Sequence, residues 1–199
     1  MTPNNRADVF ELASPARSRR SCQTLAAMQI SAATVDDARG IAEVHVLTWQ
    51  HAYRHLLPAE FLASLPVEKR EAMWRECIAK GSPEILVAKS EGELCGFVAF
   101  GASRDEGALP LTAEVIAIYV APRFWSTGAG RQLWQASLRR MVAQGFNAVT
   151  LWVIANNDRA IRFYTAAGFS ADPASLKQFT LGGTALEEVR YTRSMETQT

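Results

Sequence analysis

The stretch that most limits how this chain can fold runs from Glu114 to Arg131. Glu114 to Val120 is rich in β-branched and aromatic residues, the composition of a buried strand. Pro122 closes it, because proline brings no N–H to a ladder. Beyond Gly130 the period becomes helical, with Leu133, Trp134, Ser137, Leu138, Met141 and Val142 on one apolar stripe. Arg131, Gln132, Gln135, Arg139 and Arg140 lie mostly away from that stripe. A strand thus enters a turn of small residues that opens a helix.

The opening of a helix has a chemical use. Its first N–H groups lack partners within the helix, and the aligned peptide dipoles place partial positive charge there. Gly128, Ala129 and Gly130 carry almost no side chain, so a phosphate could approach the backbone closely. A dinucleotide fingerprint would need a third glycine where Leu133 stands, and a Walker loop would need Gly-Lys-Ser/Thr, which the chain lacks. The loop alone fits either an anion cradle or a plain strand-to-helix turn.

The second half of the unit adds a pattern. Ala148 to Val153 reads as another strand, followed by Asn156 to Tyr164 and then Thr165 to Phe169. Asn157, Ala160, Tyr164, Gly168 and Phe169 fall at the spacing N-x-x-A-x-x-x-Y-x-x-x-G-F, and the earlier loop approximates R/Q-x-x-G-x-G/A. Over about residues 28–195 the chain resembles the GCN5-related N-acetyltransferase (GNAT) superfamily. The resemblance implies an α/β domain of the GNAT fold, a central, mixed, splayed β-sheet of about six to seven strands flanked by about four helices. It also implies acetyl-CoA as co-substrate and an amine acceptor attacked directly.

Along the chain, 199 residues suit one domain with a tail. A formal charge of +1 gives no electrostatic case for nucleic acid or a membrane surface. Cys22, Cys77 and Cys95 show no metal-ligand spacing, and reduced thiols in a cytoplasmic protein are expected. Residues 1–27, with Arg6, Arg17, Arg19 and Arg20 among Ser, Pro and Ala, read as a disordered extension or as sequence before a true start at Met28. A first strand begins at Met28, and Thr34 caps a helix carrying Ile41, Val44, His45, Thr48 and Trp49 on one face. His51 and His55 have metal-ligand spacing, but no third ligand is evident. One or two helices occupy residues 58–80, bounded by Pro66 and Gly81. Strands at 85–89 and 94–100 form a hairpin, residues 101–110 a solvated polar loop, and Gly182-Gly183 the turn of a last hairpin. Because a helix connects the strands at 114–120 and 148–153, those two should be parallel.

Tyr164 follows Asn157 by seven residues, so the two project about 20° apart on one helix face. A phenol of pKa about 10 can protonate a leaving thiolate, and the resemblance implies that Tyr164 does so while Asn157 binds the cofactor. It further implies that Ile118, Tyr119 and Val120 pair with the pantetheine arm and that Ser126, Thr127, Gly128, Ala129, Gly130 and Arg131 cradle the diphosphate. Glu114 matches a position where many members carry a general-base glutamate; a solvated strand-end acid is the bland reading. Trp49 and Tyr53, one helical turn apart, and with them Trp74, are expected on the acceptor side. The chain departs from the family at Trp125, where Arg or Gln is usual, so Arg123 or Arg131 is expected to supply the missing charge, and at Trp152, where members acting on protein N-termini carry glutamate. A non-catalytic CoA-binding module is the competing reading, and a homodimer paired through sheets or C-terminal strands is among the assemblies the resemblance allows.

Overall fold

The computed structural model describes residues 28–195; the expected extension over 1–27 lies outside them. Seven strands form one sheet in the order β1-β2-β3-β4-β5-β7-β6. They are β1 (Gln29–Ala32), β2 (Glu84–Ser90), β3 (Glu93–Ala102), β4 (Thr112–Val120), β5 (Ala148–Ile154), β6 (Ser170–Leu181) and β7 (Thr184–Ser194). The helices are α1 (Ala38–Ala52), α2 (Ala59–Ala63), α3 (Val67–Lys80), α4 (Ala129–Ala143) and α5 (Asp158–Ala166). This is the expected mixed GNAT sheet, with five helices rather than about four because Pro66 separates the short α2 from α3. Among the described residues no helix is long and apolar enough to cross a membrane.

Local chemistry sets the boundaries. Asp37 accepts from the Thr34 N–H (2.8 Å) and hydroxyl (3.0 Å), and its other oxygen pairs with Lys89 at 2.6 Å, which ties the start of α1 to β2. Gly145, in the left-handed region at φ 87°, lets the Phe146 N–H turn back to the Met141 carbonyl and close α4. The stripe on α4 is shifted slightly from the expected one. Ala136 is buried, while Val142 remains exposed.

The sheet separates two cores. On one face α4 and α5 cover Val98, Phe100, Val115, Leu151 and Val153; on the other α1 and α3 cover Val87, Phe97 and Ala99. A satellite cluster joins Tyr53, Leu57, Leu62 and Leu186, bringing the tip of the β6–β7 hairpin against α2. Contact there is close enough that a Cβ on Gly182 would lie 2.5 Å from the Phe61 ring.

One irregularity positions everything that follows. β4 is parallel to β5 as expected, but they pair only over Thr112–Glu114 and Ala148–Thr150. Between the pairs Ala99↔Ala117 and Phe100↔Val115, β4 carries one extra residue, Ile116. Such a bulge bends a strand and increases its twist. Past it, β4 stays on β3 and diverges from β5, which stays on β7.

Candidate active site

A cleft of about 560 Å³ fills the gap between the diverging strands. Val115 to Val120 form one wall, Trp152 to Ile154 the other. Beyond the Glu114 pair, the edge of β4 facing β5 has no strand partner, so its backbone groups other than the Val120 carbonyl, which accepts from Thr48 and Trp125, are open to a ligand.

At one end lies the small-residue loop. Ser126 and Gly128 adopt φ of 64° and 95°, and nothing stands within 4 Å of where a Gly128 Cβ would be. The first bond into α4 runs from the Gln132 N–H to the Gly128 carbonyl at 3.0 Å, so the amides before Gln132 point forward without helical acceptors. Ser126, Gly128, Gly130 and Arg131 line the cleft as expected. Thr127 and Ala129 do not line it. The Thr127 hydroxyl donates to the Phe124 carbonyl at 2.7 Å and Ala129 is buried, so both fix the loop from behind.

Trp125 changes the cationic partner of that loop. Its indole N–H donates to the Val120 carbonyl at 2.6 Å, which lays the ring along the cleft, and the Arg159 guanidinium stacks 4.0 Å above it. Arg159 and Arg162 project from α5 beside Arg131. Burial, with Arg162 adding, lowers the pKa of Arg159. Arg123, expected to supply charge, instead pairs with Glu93 and stacks on Phe124, outside the cleft. Sequence reading missed Arg159; its signal was two arginines, 159 and 162, one turn apart just after the Asn157 cap.

Asn157 caps α5, accepting from the Ala160 N–H at 3.2 Å. Its amide also sits against the Tyr53 hydroxyl and opposes the rise that burial imposes on that phenol. Tyr164 lines the cleft with Phe163 and Phe169 packed edge-on at 5.3 and 5.8 Å. Burial, reinforced by Tyr119, pushes its hydroxyl well above the usual phenol range. The group therefore stays protonated throughout the physiological range.

The acceptor side differs from expectation at several residues. Tyr53 and Tyr119 line the cleft, but Trp49 stands behind them, edge-on to Tyr53 at 5.1 Å with the Arg70 guanidinium over its ring. Trp74 is core, donating to His45 Nδ1 at 3.1 Å. His51 Nδ1 donates to the Leu47 carbonyl and His55 Nε2 accepts from Arg54. The supposedly solvated loop reaches inward. Arg104 binds Glu114 through its backbone N–H (3.0 Å), Nε (3.0 Å) and Nη2 (2.5 Å), while Asp105 accepts from the Trp152 indole at 2.9 Å. Glu114, expected as general base, is 3% exposed, does not line the cleft and spends both carboxylate oxygens on Arg104. That corrects its expected placement: the carboxylate is held by three donors at a buried corner beside the cleft and not at a solvated strand end.

Comparison with known proteins agrees with this geometry. The model of the acetyltransferase (GNAT) family matches residues 49–169. The uncharacterized N-acetyltransferase YuaI of Bacillus subtilis (strain 168) is 33% identical over 158 residues, covering 79% of this chain and 87% of that protein. A phosphinothricin N-acetyltransferase of Streptomyces viridochromogenes is 34% identical over 86 residues, 43% of this chain and 46% of its own. Among solved structures, the PaiA N-acetyltransferase of Thermoplasma acidophilum, in complex with coenzyme A, superposes with a TM-score of 0.66 at 20% identity, covering 81% of this chain and 98% of that one. YncA of Salmonella typhimurium, with acetyl-CoA, gives 0.67 at 19%, covering 87% and 97%. The last two resemblances bear on the fold alone.

Proposed function

The chain belongs to the GNAT acetyltransferase family, and from that premise we propose that it transfers the acetyl group of acetyl-CoA to a primary amine. The observation that carries this reading is the continuous path from the arginine-flanked loop, along the free edge of β4, to Tyr164. The chain's own residues fit the co-substrate. Gly128 leaves open space and forward-facing amides for a diphosphate, and Arg131, Arg159 and Arg162 add positive charge beside it. The edge of β4 that faces β5, apart from the Val120 carbonyl held by Trp125, can hydrogen-bond an amide-bearing arm as a neighbouring strand would.

Bound acetyl-CoA would supply an acyl thioester whose carbonyl is open to an amine nucleophile. Within this cleft, Tyr164 presents a proton at the thiol end. Its raised pKa means that it yields that proton only once negative charge has built up on sulfur. Asn157 holds the start of α5, and so the Tyr164 ring, at a fixed distance from the loop. Tyr53, Tyr119 and Trp152 border the cleft from both walls, where the amine would enter. Their aromatic surface excludes water that would otherwise compete with the acceptor.

Calorimetry with coenzyme A, followed by a thiol-release assay over a panel of amines, tests the reading. Binding in the micromolar range together with amine-dependent thiol release is expected. Tight binding with no release on any amine would favour the alternative, a CoA-binding module.

A further inference from the structure

Trp152 sits where the two sheet faces meet the cleft. Leu151 and Val153 belong to the core under α4 and α5, whereas Trp152 and Ile154 take the opposite face; Trp152, Val153 and Ile154 all border the cleft. The neighbouring strand continues that face. Arg190 on β7 stands opposite Trp152, Glu188 stands opposite Ile154, and Lys177 on β6 pairs with Glu188.

These residues form an ordered set. The Trp152 indole N–H is fixed by Asp105, Asp105 accepts from Arg190 at 3.3 Å, and Arg190 binds Asp172 at 2.7 Å. Asp105 and Asp172 are therefore compensated by one guanidinium. On the ring of Trp152, 3.8 Å from its centroid, rests the ammonium of Lys177. This is close range for a cation on an aromatic face. Lys177 is an exposed residue on the edge strand, free to swing away on its four-carbon stem. Glu188 is half-buried on the same face, and the nearby Arg190 guanidinium pairs with Asp105 and Asp172 instead.

We propose that the acceptor is an alkyl primary ammonium with no carboxylate beside its nitrogen, received on Trp152 in the place Lys177 now holds and deprotonated by Glu188. The inference rests on the transferase reading above and deepens it. When Lys177 leaves, Glu188, the strand partner of the cleft-lining Ile154, loses the cation that opposes its charge. That favours an incoming ammonium and repels an α-carboxylate. The proton step balances simply: an N–H bond of the ammonium breaks, the nitrogen keeps the electron pair as its lone pair, and the proton passes to a Glu188 oxygen and then to water. Burial already raises the Glu188 carboxyl above the usual range, with Lys177 opposing and Asp105 adding to the rise. The charged groups facing it are Lys177 from β6, Asp105 from the loop before β4 and, on its own strand, Arg190.

The test uses 1,5-diaminopentane and Nα-acetyl-lysine amide as alkylammonium probes, a free amine and a lysine side chain, with alanine as the α-carboxylate control. Titration without acetyl-CoA should show at least one alkylammonium probe binding and alanine not binding. Trp152→Leu should weaken that binding about tenfold, and Lys177→Met should tighten it several-fold. In turnover, Glu188→Gln should lower kcat on the order of 10²-fold and remove the acidic limb of the pH profile, with its melting temperature and coenzyme A affinity unchanged. Binding of alanine as tightly as the alkyl probes, no binding of either probe, or an acidic limb that survives Glu188→Gln would overturn the proposal. Loss of coenzyme A binding in the unmodified protein would instead sink the transferase reading.

Discussion

The donor half and the acceptor half of this cleft are built by different means. The donor half consists of β4, the loop after it, α4 and the start of α5, segments near one another in sequence with β5 between the last two, and its working groups are largely backbone amides. The acceptor half draws Tyr53 from the C-terminal cap of α1, Arg104 and Asp105 from a loop, Trp152 from β5, and Lys177, Glu188 and Arg190 from the last hairpin. Its working groups are side chains brought together across the sheet. A backbone device needs only small residues and the right turn, so it tolerates Trp125 in place of a cation. A side-chain device must be rebuilt for each acceptor.

The largest expected effect lies where the two halves touch. Tyr164→Phe keeps the packing against Phe163 and Phe169 but removes the proton, so kcat should fall on the order of 10²-fold or more while coenzyme A affinity holds. Steady-state kinetics with calorimetry on the same protein checks it. A variant of unchanged kcat would show that the phenol is only a wall of the cleft.

Next comes the corner that displaced Glu114 from its expected role. Arg104→Ala strands a buried carboxylate and should cost about 1–3 kcal/mol of stability. Glu114→Gln should destabilise as well while changing kcat only a few-fold, measured by chemical denaturation beside turnover. If kcat collapses with stability intact, Glu114 is the base after all and the acceptor half is simpler than described.

The donor half is sharpened by Gly128→Val. A β-branched residue at φ 95° costs about 1–2 kcal/mol, and its side chain would fill the open space above the loop. Coenzyme A should bind about tenfold more weakly, with alkylamine binding unaltered. Equal loss at both halves would mean that the loop and the far wall fold as one unit.

How far each half could be read from sequence follows the same division. Strand composition, the Gly128–Gly130 turn and the Asn157-to-Tyr164 spacing are local, and local patterns fix backbone. Thr127 and Ala129 were assigned to the cradle because sequence cannot tell an amide facing the ligand from a residue bracing it. Arg159 was missed because its value depends on stacking over Trp125, a contact between separate elements. Arg104 looked solvated because its partner is ten residues away on a strand. Trp152 was noted only for what it replaces, since Lys177 reaches it across β7, and a register shift in β6 between Asp172 and Lys177 is invisible in the linear pattern.

The smallest expected effect belongs to the buried floor of the acceptor half. His45 lies among Trp49, Trp74, Phe97 and Tyr119, with ring centroids 5.0 to 6.3 Å away. Trp74 donates to Nδ1, so the proton of the neutral ring sits on Nε2. Burial first, and Arg70 second, push the pKa of His45 down to about 3. The folded state then refuses a proton that the unfolded chain accepts below its ordinary value of about 6.5. Stability is full above that value and declines as pH falls from there toward 3, by roughly 1 kcal/mol at pH 5.5. Asp37, whose pKa is lowered because the Lys89 and Thr34 bonds outweigh burial, holds its contribution above the usual carboxylate value and loses it only as pH falls further, so the two windows separate. Denaturation curves at pH 7.5 and 5.5 should therefore differ in the parent protein. In His45→Gln, which keeps an acceptor for Trp74 but cannot titrate, the difference should shrink. An undiminished difference would place the titrating group elsewhere and leave the aromatic floor indifferent to pH.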